Sequence, residues 1–309
     1  MARKRKGNPV HGWVIIDKAE GMGSTPVVNK VRGILQAQKA GHGGTLDPFA
    51  TGLLPIALGE ATKTVNYVME GEKAYRFTLK WGVETDSCDY EGAEVATSDK
   101  RPTEAEILAV LPKFVGTIEQ VPPIFSAIKV DGKRAYDLAR EGKTPELKAR
   151  EVICHDLTLL RVIDEDHAEF EVTCGKGFYV RSLGRDLAQM LGARAHLTQL
   201  RRIKVGSFDE SHAISLEELS EKAHNAADVA EYLLPIEVAL AGIPALTLDE
   251  GQAARLRNGQ AVSLLRKIDL DRIAGLQTGD TVIALLDGKV VALTVFGKGE
   301  IRPIRVLSY

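Results

Sequence analysis

Between Gly41 and Lys63 the chain reads GHGGTLDPFATGLLPIALGEATK, and this stretch constrains the fold more than any other. Five glycines (Gly41, Gly43, Gly44, Gly52, Gly59) permit backbone angles and close approaches that side chains forbid, while Pro48 and Pro55 fix the chain where they stand. One carboxylate, Asp47, sits between them. Asp-Pro pairs and glycine-rich loops are each common as plain turns, so taken two residues at a time the segment says little. Taken whole it reads as an active-site loop, because its residues are hard to explain as packing.

The flanking sequence alternates between strand and helix patterns. Gly12 to Ile16 is a short β-rich run leading into a turn over residues 17–21; Thr25 then offers an N-cap with Pro26 in the first helical turn and Val27, Val28, Val31, Ile34 and Leu35 on one face. Glu60 to Met69 reads as a second, shorter helix. From Lys73 to Trp81 the period becomes two, with Tyr75 on the apolar face beside Phe77, Leu79 and Trp81. The acidic segment after Trp81 has the form G-x-x-T-x-[ST]-x-D-x-E-G, and Thr103 with Glu106 makes a capping box. Residues 116–150 read as an excursion from the core: basic residues interleave with Phe125 and Tyr136, a composition that suits either a flap over a nucleic acid or a plain surface hairpin and helix. Val152 to Leu160 and Ala168 to Cys174 are strands, and a helix begins near Tyr179 and stops at Gly192. Arg181 falls in its first turn, where a cation is disfavoured; either an anionic partner or solvent exposure alone would explain it. A strand through Leu200 to Lys204 follows, and Ser215 with Glu218 suggests another capping box. Past Pro244 a short helix (Asp249 to Arg257) and an Asp287-Gly288 hairpin make a small β-rich module with little core.

With 309 residues and 44% hydrophobic content there is material for one large domain and a small one. Net charge is only -2, so a polyanionic partner has to be argued from local charge. Lys176, Arg181, Arg185, Arg194, Arg201, Arg202 and Lys204 crowd one stretch against the single acid Asp186, while Glu84 to Asp99 carries only acids. Cys88, Cys154 and Cys174 are far apart without a C-x-x-C, which suggests neither a disulfide framework nor a zinc knuckle. The apolar run after the basic start is too brief for a signal peptide or a membrane span, leaving a cytoplasmic address as the expectation.

The pattern G-H-x-G-x-L-D-P-x-A-T-G resembles the catalytic motif of pseudouridine synthases, specifically the TruB family. The resemblance extends over nearly all of residues 10–210, through D-K-x-x-G-x-x-S, K-x-Y-R, P-P-x-[FY]-S-A-x-K, G-x-x-[AV]-Y and K-G-x-Y-[VI]-R. It implies an α+β pseudouridine synthase fold: a mixed, mainly antiparallel central sheet flanked by helices in a catalytic domain over residues 1–243, then a PUA-like RNA-binding domain over 244–309. It further implies conversion of U55 in the tRNA T-loop to pseudouridine after the nucleotide is flipped out. Asp47 would be the catalytic carboxylate, Arg181 its partner and Tyr75 the residue stacking on the base and assisting proton transfer. Substrate contacts fall to His42, Tyr179, Leu200 and Lys18. The expected partner is the T-arm of tRNA, met by a monomer with no membrane association, required protein partner, metal or cofactor. Ala19 stands where the family usually has Pro and Gly23 where Thr is common, which loosens a turn and leaves Asp47, Tyr75 and Arg181 intact. The rival readings are a tRNA folding chaperone without chemistry, a hydrolase using Asp47 alone, and a guide-RNA-dependent relative. Most glycosidases need two carboxylates across the scissile bond, and no second acid stands in a comparable loop.

Overall fold

The computed structural model describes residues 7–309 apart from 127, 131–132, 135–146, 226–228, 265–268 and 270–271. Two sheets carry the fold. The larger has ten strands, with β1 (Gly12–Lys18), β3 (Thr51–Leu58), β4 (Lys73–Trp81), β7 (Gly116–Gln120), β10 (Arg150–Val162), β11 (His167–Cys174), β12 (Ala195–Val205) and β14 (Ala213–Ile214) in the order β14-β1-β3-β12-β4-β11-β10-β7. Two short strands, β2 (Ala40–His42) and β13 (Phe208–Asp209), pair off this path with β3 and β12. Only β1–β14 and β3–β12 run parallel, so the sheet is mixed and mainly antiparallel. The smaller sheet joins β15 (Ala245–Thr247), β17 (Thr281–Leu286), β18 (Lys289–Gly297), β19 (Glu300–Val306) and β16 (Val262–Ser263) in that order. Hairpins β5 (Val83–Thr85)–β6 (Glu94–Thr97) and β8 (Lys129–Val130)–β9 (Lys133–Arg134) lie outside both.

Alternation along β1 explains how the large sheet comes to have a core on each face. Val14 and Ile16 join one cluster with α1 (Ser24–Ile34), Phe77, Leu79 and the apolar face of α4 (Val180–Met190). Trp13 and Ile15 join the other, which includes Leu53, Val205, Phe208 and, from the C-terminal module, Ile283, Val290, Leu293 and Leu307. A third cluster, including Leu246, Leu256, Val282 and Ile301, lies within that module, so it has a core of its own, contrary to the expectation of little core. Among the described residues, further short α-helices are α2 (Val65–Glu70), α3 (Glu104–Val110), α5 (Leu216–Lys222) and α6 (Glu250–Arg257).

Most patterned segments fold as expected, and the departures have local causes. Asp287 and Gly288 both take positive φ, as a two-residue hairpin requires. Helix α1 starts two residues early, at Ser24 with Gly23 as an N-cap lacking a side-chain bond, because the Ser24 hydroxyl is engaged elsewhere. Residues 17 and 18 extend β1 instead of turning. The Glu60–Met69 helix divides into a 3-10 turn, Gly59–Lys63, and α2. Ser215 caps the Glu218 N–H of α5 without a reciprocal bond. The excursion is also shorter than expected, since residues 116–120 and 150 belong to the main sheet; its Tyr136 lies outside the described residues.

The basic run is largely paired. Arg194 pairs with Glu84, Arg201 with Asp17 and Glu210, Lys204 with Glu72, Lys176 with Glu70, and Arg185 with Asp186. Of these partners, Glu84 comes from the acidic run.

Candidate active site

The loop between β2 and β3 is held almost entirely through its own backbone. Ser24 Oγ donates to the Leu46 carbonyl at 3.0 Å and accepts from the Leu46 N–H at 2.8 Å. Lys18 Nζ donates to the Pro48 carbonyl at 3.0 Å, and so does the Gly21 N–H at 2.8 Å. Arg202, 1% exposed, donates to the carbonyls of Gly44, Thr45 and Leu53. The Ala50 N–H closes the Asp-Pro turn on the Asp47 carbonyl at 3.1 Å. With so many carbonyls committed, the half-buried Asp47 side chain is presented in one place.

What it meets there is Arg181. The guanidinium, in the first turn of α4, stands 3.0 Å from Asp47 Oδ2 and 3.3 Å from Asp89 Oδ2. It also donates to the carbonyls of Ser87 at 2.9 Å and Phe125 at 2.8 Å. The anionic partner anticipated for Arg181 is thus a pair of carboxylates. Asp89 in turn accepts from Ser87 Oγ at 2.6 Å and the Glu91 N–H at 3.1 Å; burial raises its pKa, and the Ser87 bond and Arg181 oppose that. Cys88, just before it, holds a positive φ of 62, a strained conformation for a non-glycine residue beside a buried carboxylate.

Asp47 and Arg181 border a cavity of about 340 Å³. Tyr75, Leu200, Val180, Phe178 and Met69 give it apolar surface, while Lys73, Arg202, Ser126 and Tyr179 bring polar groups. This is the range in which small ligands are held, with a few placed polar groups in an apolar lining. Burial raises the Tyr75 pKa, only partly offset by Arg202, so the phenol stays protonated at neutral pH. Burial lowers Lys73 to about 8, aided by Arg202, while its ammonium is directed at the carbonyls of Met69 and Gly71. Tyr179 caps the wall: both polar atoms of the buried Gln120 amide bond its backbone, at 2.9 Å to its N–H and 3.1 Å to its carbonyl.

Of the residues named from sequence, Asp47, Tyr75, Arg181, Tyr179 and Leu200 all line this cavity. His42 and Lys18 do not. His42 Nδ1 accepts from the Gly44 N–H at 3.4 Å, and burial, with Arg202, lowers its pKa, which favours the neutral imidazole. Lys18, lowered to about 8 chiefly by burial, ties Pro48 to β1, so the structure makes it a support of the loop rather than a cavity residue. Sequence reasoning passed over Asp89, Gln120, Ser126 and Arg202. Asp89 and Ser126 were inside quoted motifs, the available signal; Arg202 was hidden in a basic run and Gln120 carried none. Among the described residues no three His, Cys, Asp or Glu side chains gather as a metal would need, and no helix is long and apolar enough to cross a membrane.

A mixed sheet with a carboxylate–guanidinium pair beside a small cavity is a fold and site that the family models and curated relatives place among the pseudouridine synthases. The chain aligns over 96% of its length with 84% of a chain in a Cbf5-Nop10-Gar1 complex, at a TM-score of 0.73 and 25% identity. Against a chain of an H/ACA RNP bound to a substrate RNA containing 2'-deoxyuridine the TM-score is 0.74 at 22% identity, covering 99% and 91% of the two chains. The model of the TruB family pseudouridylate synthase N-terminal domain matches residues 32–180, and that of the tRNA pseudouridylate synthase B C-terminal domain matches 181–241. The tRNA pseudouridine synthase B of Rhodospirillum rubrum is 52% identical over 100% of both chains, and that of Caulobacter vibrioides 48% identical over 100% of this chain and 99% of its own. The chain belongs to the TruB family. It is accordingly a pseudouridine synthase, as the sequence motifs imply.

Proposed function

We propose that this enzyme acts on tRNA and isomerises the uridine at position 55 of the T-loop, flipping the nucleotide into the cavity beside Asp47 and working without a guide RNA. The observation that carries the reading is the Asp47 carboxylate fixed 3.0 Å from Arg181 at the wall of a base-sized cavity. Full-length relatives at about half identity bear the name tRNA pseudouridine synthase B, which supports tRNA as the substrate.

The reaction breaks the N1–C1′ bond of uridine, turns the ring and forms C5–C1′; the C5 proton leaves and N1 gains one, so the product is an isomer. Asp47 acts as the carboxylate, nucleophilic or electrostatic, that meets the sugar or base as the bond breaks. Its Oδ2 is held by Arg181, and Oδ1 has no protein hydrogen bond among the described residues and is free to face substrate. Tyr75, kept neutral, stacks on the base and offers a hydroxyl for proton transfer. Extruding the base costs a few kcal/mol of unstacking. His42, beside the loop, assists that step. We further read residues 244–309 as a PUA-like RNA-binding module appended to the catalytic domain, and the active species as a monomer.

Carbodiimide-based primer-extension mapping of an unmodified tRNA transcript tests this. Wild type is expected to produce a single stop at the T-loop uridine with no cofactor or divalent metal added. Asp47→Ala is expected to give none while RNA affinity, supplied mostly by phosphate contacts, stays largely intact. Tight binding by the wild type without any stop would instead support a folding chaperone.

A further inference from the structure

Ser126 is the polar group in the cavity that nothing so far employs. Its residue is 5% exposed, it lines the same cavity as Asp47, Tyr75 and Leu200, and its Oγ has no hydrogen-bond partner among the described residues. Burial raises the pKa of the Tyr179 phenol and the nearby Ser126 hydroxyl opposes that rise, yet the two do not reach hydrogen-bonding geometry. A buried hydroxyl left alone costs stability. Its position is nonetheless enforced, because Arg181 donates to the carbonyl of Phe125 immediately before it and Ser182 and Arg185 both donate to the Val121 carbonyl. One guanidinium thereby fixes Asp47 and Ser126 against each other.

We infer that the Ser126 hydroxyl is a substrate-holding group that hydrogen-bonds an exocyclic oxygen of the uracil ring, both before and after the ring turns. The chemistry of the base makes this a natural use. Turning uracil by half a revolution about its N3–C6 axis exchanges N1 with C5, which is what the isomerisation demands, and exchanges O2 with O4. A donor fixed on one side of the pocket therefore meets a carbonyl oxygen in both orientations. The contacts before and after the turn are equivalent, and the hydroxyl needs no rearrangement between them. A cation at that place would favour one charged state of the ring; a neutral, rotatable hydroxyl does not.

This inference rests on the proposed reaction, and the test separates the two. Transcripts carrying uridine, 2-thiouridine or 4-thiouridine at the target position are turned over by wild type, Ser126→Ala and Ser126→Thr under single-turnover conditions. Sulfur is a weaker acceptor than oxygen, so a contact made by Ser126 appears as coupling between protein and substrate changes. On uridine, Ser126→Ala is expected to be slower by about 10-fold, the size of one lost neutral hydrogen bond, with unchanged RNA binding and a melting temperature equal to or above that of the wild type, since an unpartnered buried hydroxyl is removed. Ser126→Thr should recover part of the rate. At least one thio-substitution should slow the wild type about fivefold or more and have no such effect on Ser126→Ala. The inference is overturned if both sulfur penalties persist at full size in Ser126→Ala, if wild type shows no sulfur penalty, or if Ser126→Ala works at the wild-type rate. Failure of wild type on plain uridine would overturn the proposed function instead.

Discussion

A full positive charge held at 4% exposure, as in Arg181, is tolerable only when paired and hydrogen-bonded. Two carboxylates and two carbonyls meet that demand, using the planar fork of the guanidinium in several directions at once. Lysine has the charge without the fork. We therefore expect Arg181→Lys to lower kcat by about 50-fold or more, the equivalent of 2–3 kcal/mol, while the fold persists; single-turnover rates beside thermal melts would check this. A rate within twofold of wild type would mean that charge alone suffices. Asp47, Tyr75 and Arg181 were legible in the sequence because each sits in a motif of its own. The contact between Asp47 and Arg181 was legible only through the family resemblance. Asp89 was visible merely as one acid in a run, since nothing in a linear pattern says that a guanidinium 92 positions away will reach it.

At the scale of elements, the active-site loop is shaped by close approach as much as by hydrogen bonds. Strands β3 and β12 run parallel only where Thr51 and Gly52 pass Arg201 and Arg202, and there Gly52 has a φ of 92. A Cβ at that position would lie 2.2 Å from the Arg202 carbonyl oxygen, a backbone atom that cannot swing aside. Gly52→Ala should therefore cost about 3 kcal/mol or more, visible as a lower urea midpoint, and should slow catalysis because Arg202 carries the carbonyls of Gly44 and Thr45. An unchanged midpoint would show that the strands can part there without penalty. The glycine was readable as a need for space, but what occupies the space was not. The same limit explains α1: the local rule favoured Thr25 as N-cap, whereas tertiary structure engaged the Ser24 hydroxyl with Leu46 and left Gly23 at the cap position. Strand β4, by contrast, keeps its period of two where exposed Arg76 and Lys80 alternate with buried Phe77, Leu79 and Trp81, although Thr78 on the polar side of the pattern is buried as well.

For the molecule as a whole, the question is whether the C-terminal sheet is an appendage or part of one cooperative structure. Turn signals mark it as separate, and the third cluster gives it a core of its own that the sequence did not lead one to expect. Its strands β17 and β18 nevertheless share a second cluster with β1 and β3, a relation that periodicity cannot reveal because Trp13 to Ile16 is apolar at every position. Polar contacts reinforce the seam. Glu237 accepts from the Val290 N–H and the Tyr309 hydroxyl at 2.9 Å each, Lys63 donates to the Val306 carbonyl at 2.7 Å, and Glu60 accepts from the Ser308 N–H at 3.0 Å. Glu60 and Lys63 lie in the 3-10 turn that directly follows β3, so the module is fastened to the strand that carries the active-site loop. We expect the wild type to unfold in a single calorimetric transition, because separating the sheets exposes an apolar face of each. Leu293, 1% exposed, points into the shared cluster and not into the module's own core. Placing an unpaired carboxylate there by Leu293→Asp should break the seam while leaving each core filled. The expected result is two transitions, with limited proteolysis between the sheets becoming possible below the upper one. Two transitions in the wild type would show that the shared cluster does not couple the sheets; a single unshifted transition in the variant would show that Leu293 does not govern the seam.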